Sequence, residues 1–324
     1  MHADGPAQPP QLRSEGLRSE RGAVIVLVLV TLLLAAFLLA AFIRRTGTEL
    51  LADARAVEHR QLRAEAYSAL ESALAVVAAE KMAENTLHSP DENWRRLLAE
   101  SGYLPAAGHE VEVGFEDESS RISLPQADAV TLQTALEAAG ENPTEAERMT
   151  NALLAWMREG NDDEGRDLDA PDYESNDPAY KPAHRALRSW EELVAVEMNR
   201  QVFFDDAGRA TEVLQAFRRD FSLYAFQRTN LNTASSSVLV TMGLNAGDAD
   251  ALESYRARPR QPGDSGVLRS LTEAATVLGS AAIPGKFSTD MALLRINITV
   301  RQGAIAYRMT TVVAPAGTTR AAAP

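Results

Sequence analysis

The stretch that decides the fold is AVIVLVLVTLLLAAFLLAAFI, Ala23 to Ile43, in which Thr31 is the one polar side chain and no charge occurs. As an α-helix its residues rise ~1.5 Å each and span ~31 Å, the thickness of a bilayer core. A threonine hydroxyl bonds back to its own helix, so nothing here resists burial in lipid. Arg21-Gly22 stands before the run and Arg44-Arg45 after it. Helical periodicity does not stop at the arginines. Leu50, Leu51, Ala54, Val57, Leu62, Ala66, Leu70, Ala73, Leu74 and Val77 continue an apolar stripe to about Ala83. A helix apolar all round in its first half and striped in its second sits in a membrane at one end and packs on a soluble domain at the other.

The rest of the composition narrows the class. A chain of 324 residues with formal net charge −13 has room for a sizeable core and little affinity for nucleic acid or anionic lipid. It has no cysteine, so neither a disulfide framework nor thiolate chemistry is available. Arginines on both sides of the span leave the positive-inside rule undecided. The short preceding tail and the large acidic part that follows favour the N-terminus inside. The apolar core is too long for a cleaved secretory signal.

Residues 1–20, rich in Pro, Gly, Ser and charges, read as disordered. After the long helix, Ser89-Pro90-Asp91 opens a short helix through Leu98. Glu110–Glu116 alternates as a strand, with Val111, Val113 and Phe115 on one face, and Arg121–Leu124 is expected to pair with it across the Asp117–Ser120 turn. Helical patterns then dominate over Ala127–Ala139, Glu145–Met157, Trp190–Met198, Ser235–Met242, Ala249–Ala257 and Leu268–Leu278. One β-like run, Phe221–Phe226, interrupts them. A hairpin closes the chain: Ile296, Ile298 and Val300, a turn at Arg301-Gln302-Gly303, then Ile305, Tyr307, Met309, Thr311 and Val313. Short strands need company over an apolar face. The expected fold is therefore α+β: a long N-terminal helix packed on one antiparallel sheet built from both ends of the chain, with a large all-α insertion. The segments are residues 1–22 (leader), 23–43 (transmembrane), 44–124 (amphipathic helix and first strands), 125–286 (insertion), 287–316 (last strands) and 317–324 (loose tail).

Three constellations invite a chemical reading. Asn161–Asp177 holds Asp162, Asp163, Glu164, Asp167, Asp169, Asp172, Glu174 and Asp177 against one cation, Arg166. Calcium takes about 6–8 oxygen ligands and tolerates irregular loops, whereas a solvated acidic loop needs no ion at all. Both readings stand. Thr229–Met242 has a good helix start, with Thr233 or Ser235 as N-cap. A DNA-backbone role for it fails on charge, since Asp248 and Asp250 follow. Gly263-Asp264-Ser265-Gly266 with His184 imitates a serine-protease loop, but in a helical region with Pro262 before it the string reads as a turn. Trp156 and Trp190 occupy apolar helical positions and read as core. No enzymatic site emerges.

The junction Arg21-Gly22 followed without a gap by the apolar helix resembles the cleavage site of type IV pilin-like precursors, cut between Gly22 and Ala23. Leu27 then stands fifth, where most pilins have glutamate. Further strings occur in order: Glu116–Ile122 (EDESSRI), Ala152–Asp163 (ALLAWMREGNDD), Asp172-Tyr173, Trp190–Leu193 (WEEL) and Thr229–Ala234 (TNLNTA). From Arg21 to about Val313 the chain resembles general secretion pathway protein K, the largest minor pseudopilin family of type II secretion systems, in which an apolar fifth residue is characteristic. Two strings depart from the family: Ser123-Leu124-Pro125 replaces Asn-Leu-Asn, and Ala155-Trp156-Met157-Arg158 replaces Asp-Trp-x-Asp. The resemblance implies a pilin-like fold and a non-enzymatic subunit of the bacterial inner membrane with its soluble domain in the periplasm. It also implies cleavage by the prepilin peptidase, I- and J-type minor pseudopilins and the major pseudopilin as partners, and contact with the inner-membrane secretion platform. Calcium in the insertion is implied as well, with Asp162, Asp163, Glu164, Asp167, Asp169 and Asp172 as candidate ligands. The alternatives are a minor pilin of a related system and a membrane-anchored periplasmic binding module that never polymerises.

Overall fold

In a computed structural model of the chain, the apolar run and the stripe behind it form one helix, α1, Gly16–Glu84. The structure describes residues 16–90, 94, 99–158, 173, 179–197, 199–258, 266–279 and 283–315. α1 begins before the apolar run, so the end of the expected disordered leader has helical backbone. Extending an existing helix costs far less than nucleating one, and this carries it into the polar residues. The short helix expected over Ser89–Leu98 lies largely outside the described residues.

Two compact units divide the chain, residues 1–61 and 62–324. In the first, the large apolar side chains from Val24 to Ile43 are 50–75% exposed, and Leu50, Leu51 and Val57 continue that exposure. This is the one described helix long and apolar enough to cross a membrane. Thr31 bonds back to the Val28 carbonyl at 2.8 Å, which removes its polarity from the surface.

In the second unit α1 turns one stripe inward. Leu62, Ala66, Ala69, Ala73 and Val77 pack with Phe115, Leu294, Ile296, Ile298 and Val300 in one buried cluster. The helical spacing puts those five on one face, and three alanines let the helix lie close to the sheet. The sheet has three antiparallel strands in the order β1 (Glu110–Asp117), β6 (Leu294–Gln302), β7 (Ile305–Val313). β6 is central and alternates buried with half-buried residues along its length. Its hairpin to β7 turns on two residues, Gly303-Ala304, one step later than expected. A tight two-residue turn needs a left-handed first position, which Gly303 supplies with φ +58°. Glu65 on α1 receives hydrogen bonds from Tyr103 (2.5 Å) and from the backbone of Ala106, and its carboxylate meets the His109 ring at 3.3 Å. Burial opposes its charge, but these bonds outweigh burial and hold the carboxyl below the usual range.

Arg121–Leu124 does not pair with β1. The Asp117 side chain accepts from the Ser119 amide and winds residues 118–120 into a 3₁₀ turn that takes the chain out of the sheet. β2 (Ile122–Ser123) instead pairs in parallel with β3 (Phe221–Ser222), all that forms of the β-like run expected to Phe226. β4 (Thr229–Asn230) pairs in parallel with β5 (Phe287–Ser288).

Between β2 and β5 lie helices at Ala129–Ala138, Pro143–Met157, Glu212–Asp220, Ser236–Thr241, Ala246–Ala257 and Leu271–Leu278. Their N-caps are Asp128, Asn142, Thr211, Ser235, Asn245 and Ser270, each side chain accepting from a backbone N–H three residues on. Each such cap is worth about 1 kcal/mol. Ser235, not Thr233, caps its helix. Trp190–Met198 is a 3₁₀ turn over Trp190–Val194 rather than an α-helix. The helices share a second core that includes Leu132, Met149, Leu153, Leu193, Leu214, Phe217, Phe221, Leu239 and Leu252. Ile298 is 1% exposed in the centre of β6. Ile298→Ala is expected to lower stability by about 2–5 kcal/mol, read as an earlier midpoint in urea unfolding, because a close-packed site does not refill the cavity.

Candidate functional site: the polar junction of sheet and helical block

Two of the strings quoted from the sequence, EDESSRI and TNLNTA, lie 113 residues apart between Asp117 and Asn230 and meet in one buried polar cluster. Its centre is Asp117, the last residue of β1. Oδ1 accepts from the Ser119 amide (2.8 Å) and hydroxyl (2.5 Å); Oδ2 accepts from Asn230 Nδ2 (2.7 Å) and Thr233 Oγ1 (2.5 Å). Asn230 Nδ2 also donates to the His88 carbonyl at 2.7 Å, and its Oδ1 accepts from the Asn232 amide. The Asn232 side chain donates to the carbonyls of Leu268 and Thr289 and accepts from the Leu268 amide at 2.7 Å. Two asparagines thus tie the last turn of β1 to His88, to the 268 segment and to the chain returning toward β6.

Glu118 organises the second half of the cluster. It is 1% exposed and paired with Arg295 of β6 at 2.6 Å and with Arg121 at 3.1 Å. Its other oxygen accepts from Ser222 Oγ at 2.6 Å, and Thr229 Oγ1 donates to the Arg121 carbonyl. A carboxylate out of water is costly unless its lone pairs are filled, and here both oxygens are. Asp117 has four donors and no cation among those bonds. Burial therefore pushes its carboxyl up to about 6, against the pull of Ser119, Thr233 and Asn230.

The chemistry of this cluster is cohesion. Its hydroxyls, those of Ser119, Thr233 and Ser222, each donate to a buried carboxylate, and among the described residues no three His, Asp or Glu side chains converge as a metal site requires. His184 is occupied by structure: its ring Nδ1 lies 2.8 Å from the Arg158 carbonyl, its amide donates to the Trp156 carbonyl, and its φ is +45°. Trp156 is core, edge-on to Tyr173 with ring centroids 5.4 Å apart, and Trp190 packs half-buried on Phe217. Of the residues singled out in sequence, Gly22 and Ala23 lie within α1. Asp162, Asp163, Glu164, Asp167, Asp169 and Asp172 fall outside the described residues, as does most of the Gly263–Gly266 string. The roles of Asp117, Asn230 and Asn232 were not read from sequence. Asparagine before a helix start looks like turn chemistry, and a lone Asp at a strand end looks exposed.

Residues 116–205 match the family model of protein K of the type II secretion system. That segment runs from the end of β1 into the first half of the helical block and contains Asp117 and Glu118. No curated protein matches the chain by sequence. Among solved structures, the chain is similar to one in the GspK-GspI-GspJ complex of the enterotoxigenic Escherichia coli type 2 secretion system. The TM-score is 0.57 at 15% identity, over 80% of this chain and 92% of that one. At that identity the likeness speaks for the fold. The family match rests on residues 116–205 and the structural likeness on the fold of the chain.

Two outcomes follow from the Asp117 cluster. Asn230→Ala leaves a buried carboxylate short of a donor and is expected to destabilise by about 1.5–3 kcal/mol in denaturant unfolding. The native carboxyl takes up its proton near pH 6 and the unfolded one near 3.9, so the site stabilises most below about pH 4 and loses that contribution as pH rises through 6. Stability profiles of the parent and Asp117→Asn chains should therefore move in the parent's favour between pH 6 and pH 4. Parallel profiles would contradict the assignment.

Proposed function

We propose that this protein-K-like chain starts the pseudopilus and remains at its tip, working by assembly and catalysing no reaction. The observation that carries this reading is α1. Its first part is apolar on every side and exposed, while from Leu62 onward its inward face is committed to a sheet. A helix of that kind is held in the inner membrane as a single span and then drawn out to bundle with other such helices. The soluble unit lies in the periplasm on this reading, and the prepilin peptidase removes residues 1–22.

The helical block supports a terminal position. It leaves and re-enters the sheet at one end, where Asp117 pairs with Leu294, beside the end of α1 where Met291 donates to the Leu87 carbonyl. A mass fixed there would obstruct a further subunit stacked on the same helix, and a subunit with nothing above it bears no such cost. Leu27 fits the same role: ordinary pilins use a glutamate there toward the neighbouring amino terminus, and a first subunit has less need of one. The partners are the I- and J-type minor pseudopilins, then the major pseudopilin and the inner-membrane platform. Calcium belongs to this reading through the carboxylate density of the 162–172 segment, with Asp162, Asp163, Glu164, Asp167, Asp169 and Asp172 supplying hard oxygen ligands.

Replacing Gly22 with valine should block removal of residues 1–22, seen as a larger intact mass of the membrane-extracted protein, and should stop secretion. A functional protein that still begins at Met1 would overturn the reading. Calorimetric titration of calcium into the full-length protein should give a saturable heat that Asp162→Asn with Asp163→Asn abolishes, and its persistence in that double variant would remove those two ligands from the site.

A further inference from the structure

The two edges of the three-stranded sheet are built differently. β1 is guarded by Glu110, Glu112 and Glu116, which project from its outer face. Such charge is a common protection against unwanted strand pairing. β7, IAYRMTTVV, has no carboxylate, no proline and one charge, Arg308. The register fixes which of its backbone groups are spoken for. Gln302 and Ile305 flank a two-residue turn and form a hydrogen-bonded pair, so 307, 309, 311 and 313 also bond toward β6. The N–H and C=O groups of Ala306, Arg308, Thr310 and Val312 then point off the edge, and among the described residues no backbone bond reaches them.

The apolar layer is also unfinished on that side. The inward residues of β6 are fully buried, while Ile305, Tyr307, Met309 and Val313 of β7 are half-buried, as are Leu70 and Leu74 of α1 and, on the charged edge, Val111 and Val113 of β1. Tyr67 is 45% exposed, with the Arg63 guanidinium 5.6 Å over its ring and Tyr307 close by. One more strand beside β7 would cover this row and fill the edge. The charge that strand must meet is positive, from Arg308 and Arg63.

We propose that β7 receives an extended strand from a partner protein: a strand with alternating apolar residues over Tyr307 and Met309, and a carboxylate opposite Arg308. Backbone pairing supplies the grip in such strand addition, and alternate side chains the selectivity. A two-fold pair of β7 edges from two copies has no acidic residue to answer its arginines. A second copy's β1 would answer them, but it would generate an open-ended chain of subunits. The inference rests on the pseudopilin reading for the identity of the partner, taken as one of the two other minor pseudopilins.

The test uses the full-length chain in detergent with the purified I- and J-type proteins. Amide hydrogen exchange of Ala306, Arg308, Thr310 and Val312 should be fast in the isolated chain and slow at least tenfold in the complex. Arg308→Pro deletes one outward N–H and the charge without touching the β6 ladder, since edge strands accept proline where the N–H faces away. It should weaken the complex at least tenfold, and Arg308→Glu should do the same, while Glu112→Gln on the opposite edge changes affinity less than twofold. A complex that forms normally with Arg308→Pro and leaves the β7 amides unprotected overturns the strand addition and leaves the pseudopilin reading standing. Protection already present in the isolated chain, or light scattering showing polymers of this chain alone, also overturns it. Absence of any complex with the wild-type chain overturns the pseudopilin reading and the inference with it.

Discussion

The pairing of Asp117 with Leu294 is the constraint on which the soluble unit depends. The central strand of the sheet comes from the far end of the chain, so the sheet exists only if the two ends of a very long excursion return to one point. Closing a loop of that length costs several kcal/mol of chain entropy before any contact forms, although the cost grows only slowly with length. The polar junction offsets it locally. Asp117 ends β1 and Glu118 follows it, Arg295 stands second in β6, and Asn230 and Asn232 bind both ends from inside the block. Placing buried charge at this point also sets register. A slip of one residue would turn Arg295 away from Glu118 and bring every buried residue of β6 to the surface.

That closure explains why the block folds as a body of its own without being a separable one. Its core is built by helices that each start on a good N-cap, so local signals suffice to form them. Its attachment is different in kind. Two short parallel pairings, β2 with β3 and β4 with β5, carry the chain across the boundary, each only two residues long on either side. Strands so short contribute little alone, and the side-chain bonds around them, Ser123 to the Tyr224 carbonyl and Thr229 to the Arg121 carbonyl among them, take over the work of a ladder.

The same distinction decides what was legible in the sequence. The long apolar helix, β1, the closing hairpin and five of the six capped helices announce themselves through periodicity and end signals, because each is a local matter of which face is apolar. So does the idea of one sheet made from both ends, since an isolated hairpin would leave its apolar face wet. The helix at Glu212–Asp220 was missed because its apolar residues, Val213, Leu214 and Phe217, sit among charges and run straight into a β-like stretch. Arg121–Leu124 was misplaced because its partner, β3, lies about a hundred residues away and pairs in parallel, which no turn signal encodes. The junction itself was invisible. A buried Asp–Asn–Thr cluster leaves no periodic mark, and each member alone looks like an ordinary turn residue.

α1 imposes the remaining condition, because its apolar first part and its striped second part ask for different surroundings. Its large apolar side chains from Val24 to Ile43 are exposed, and hydrocarbon or other helices can cover such a stretch on every side. Its second part pays for close approach with alanine: Ala66, Ala69 and Ala73 contribute little apolar area themselves but bring the backbone within reach of Ile296 and Ile298. Larger side chains at those positions would bury more surface and hold the sheet away, which would reopen the row from Leu294 to Val300 to water. The small stripe and the fully buried central strand are therefore one design seen from two sides. Its consequence falls on the edges: a helix that covers the middle strand completely covers the outer strands β1 and β7 only in part, at Val111 and Val113 as at Tyr307 and Met309, and what remains uncovered there follows from the width of a helix set against three strands.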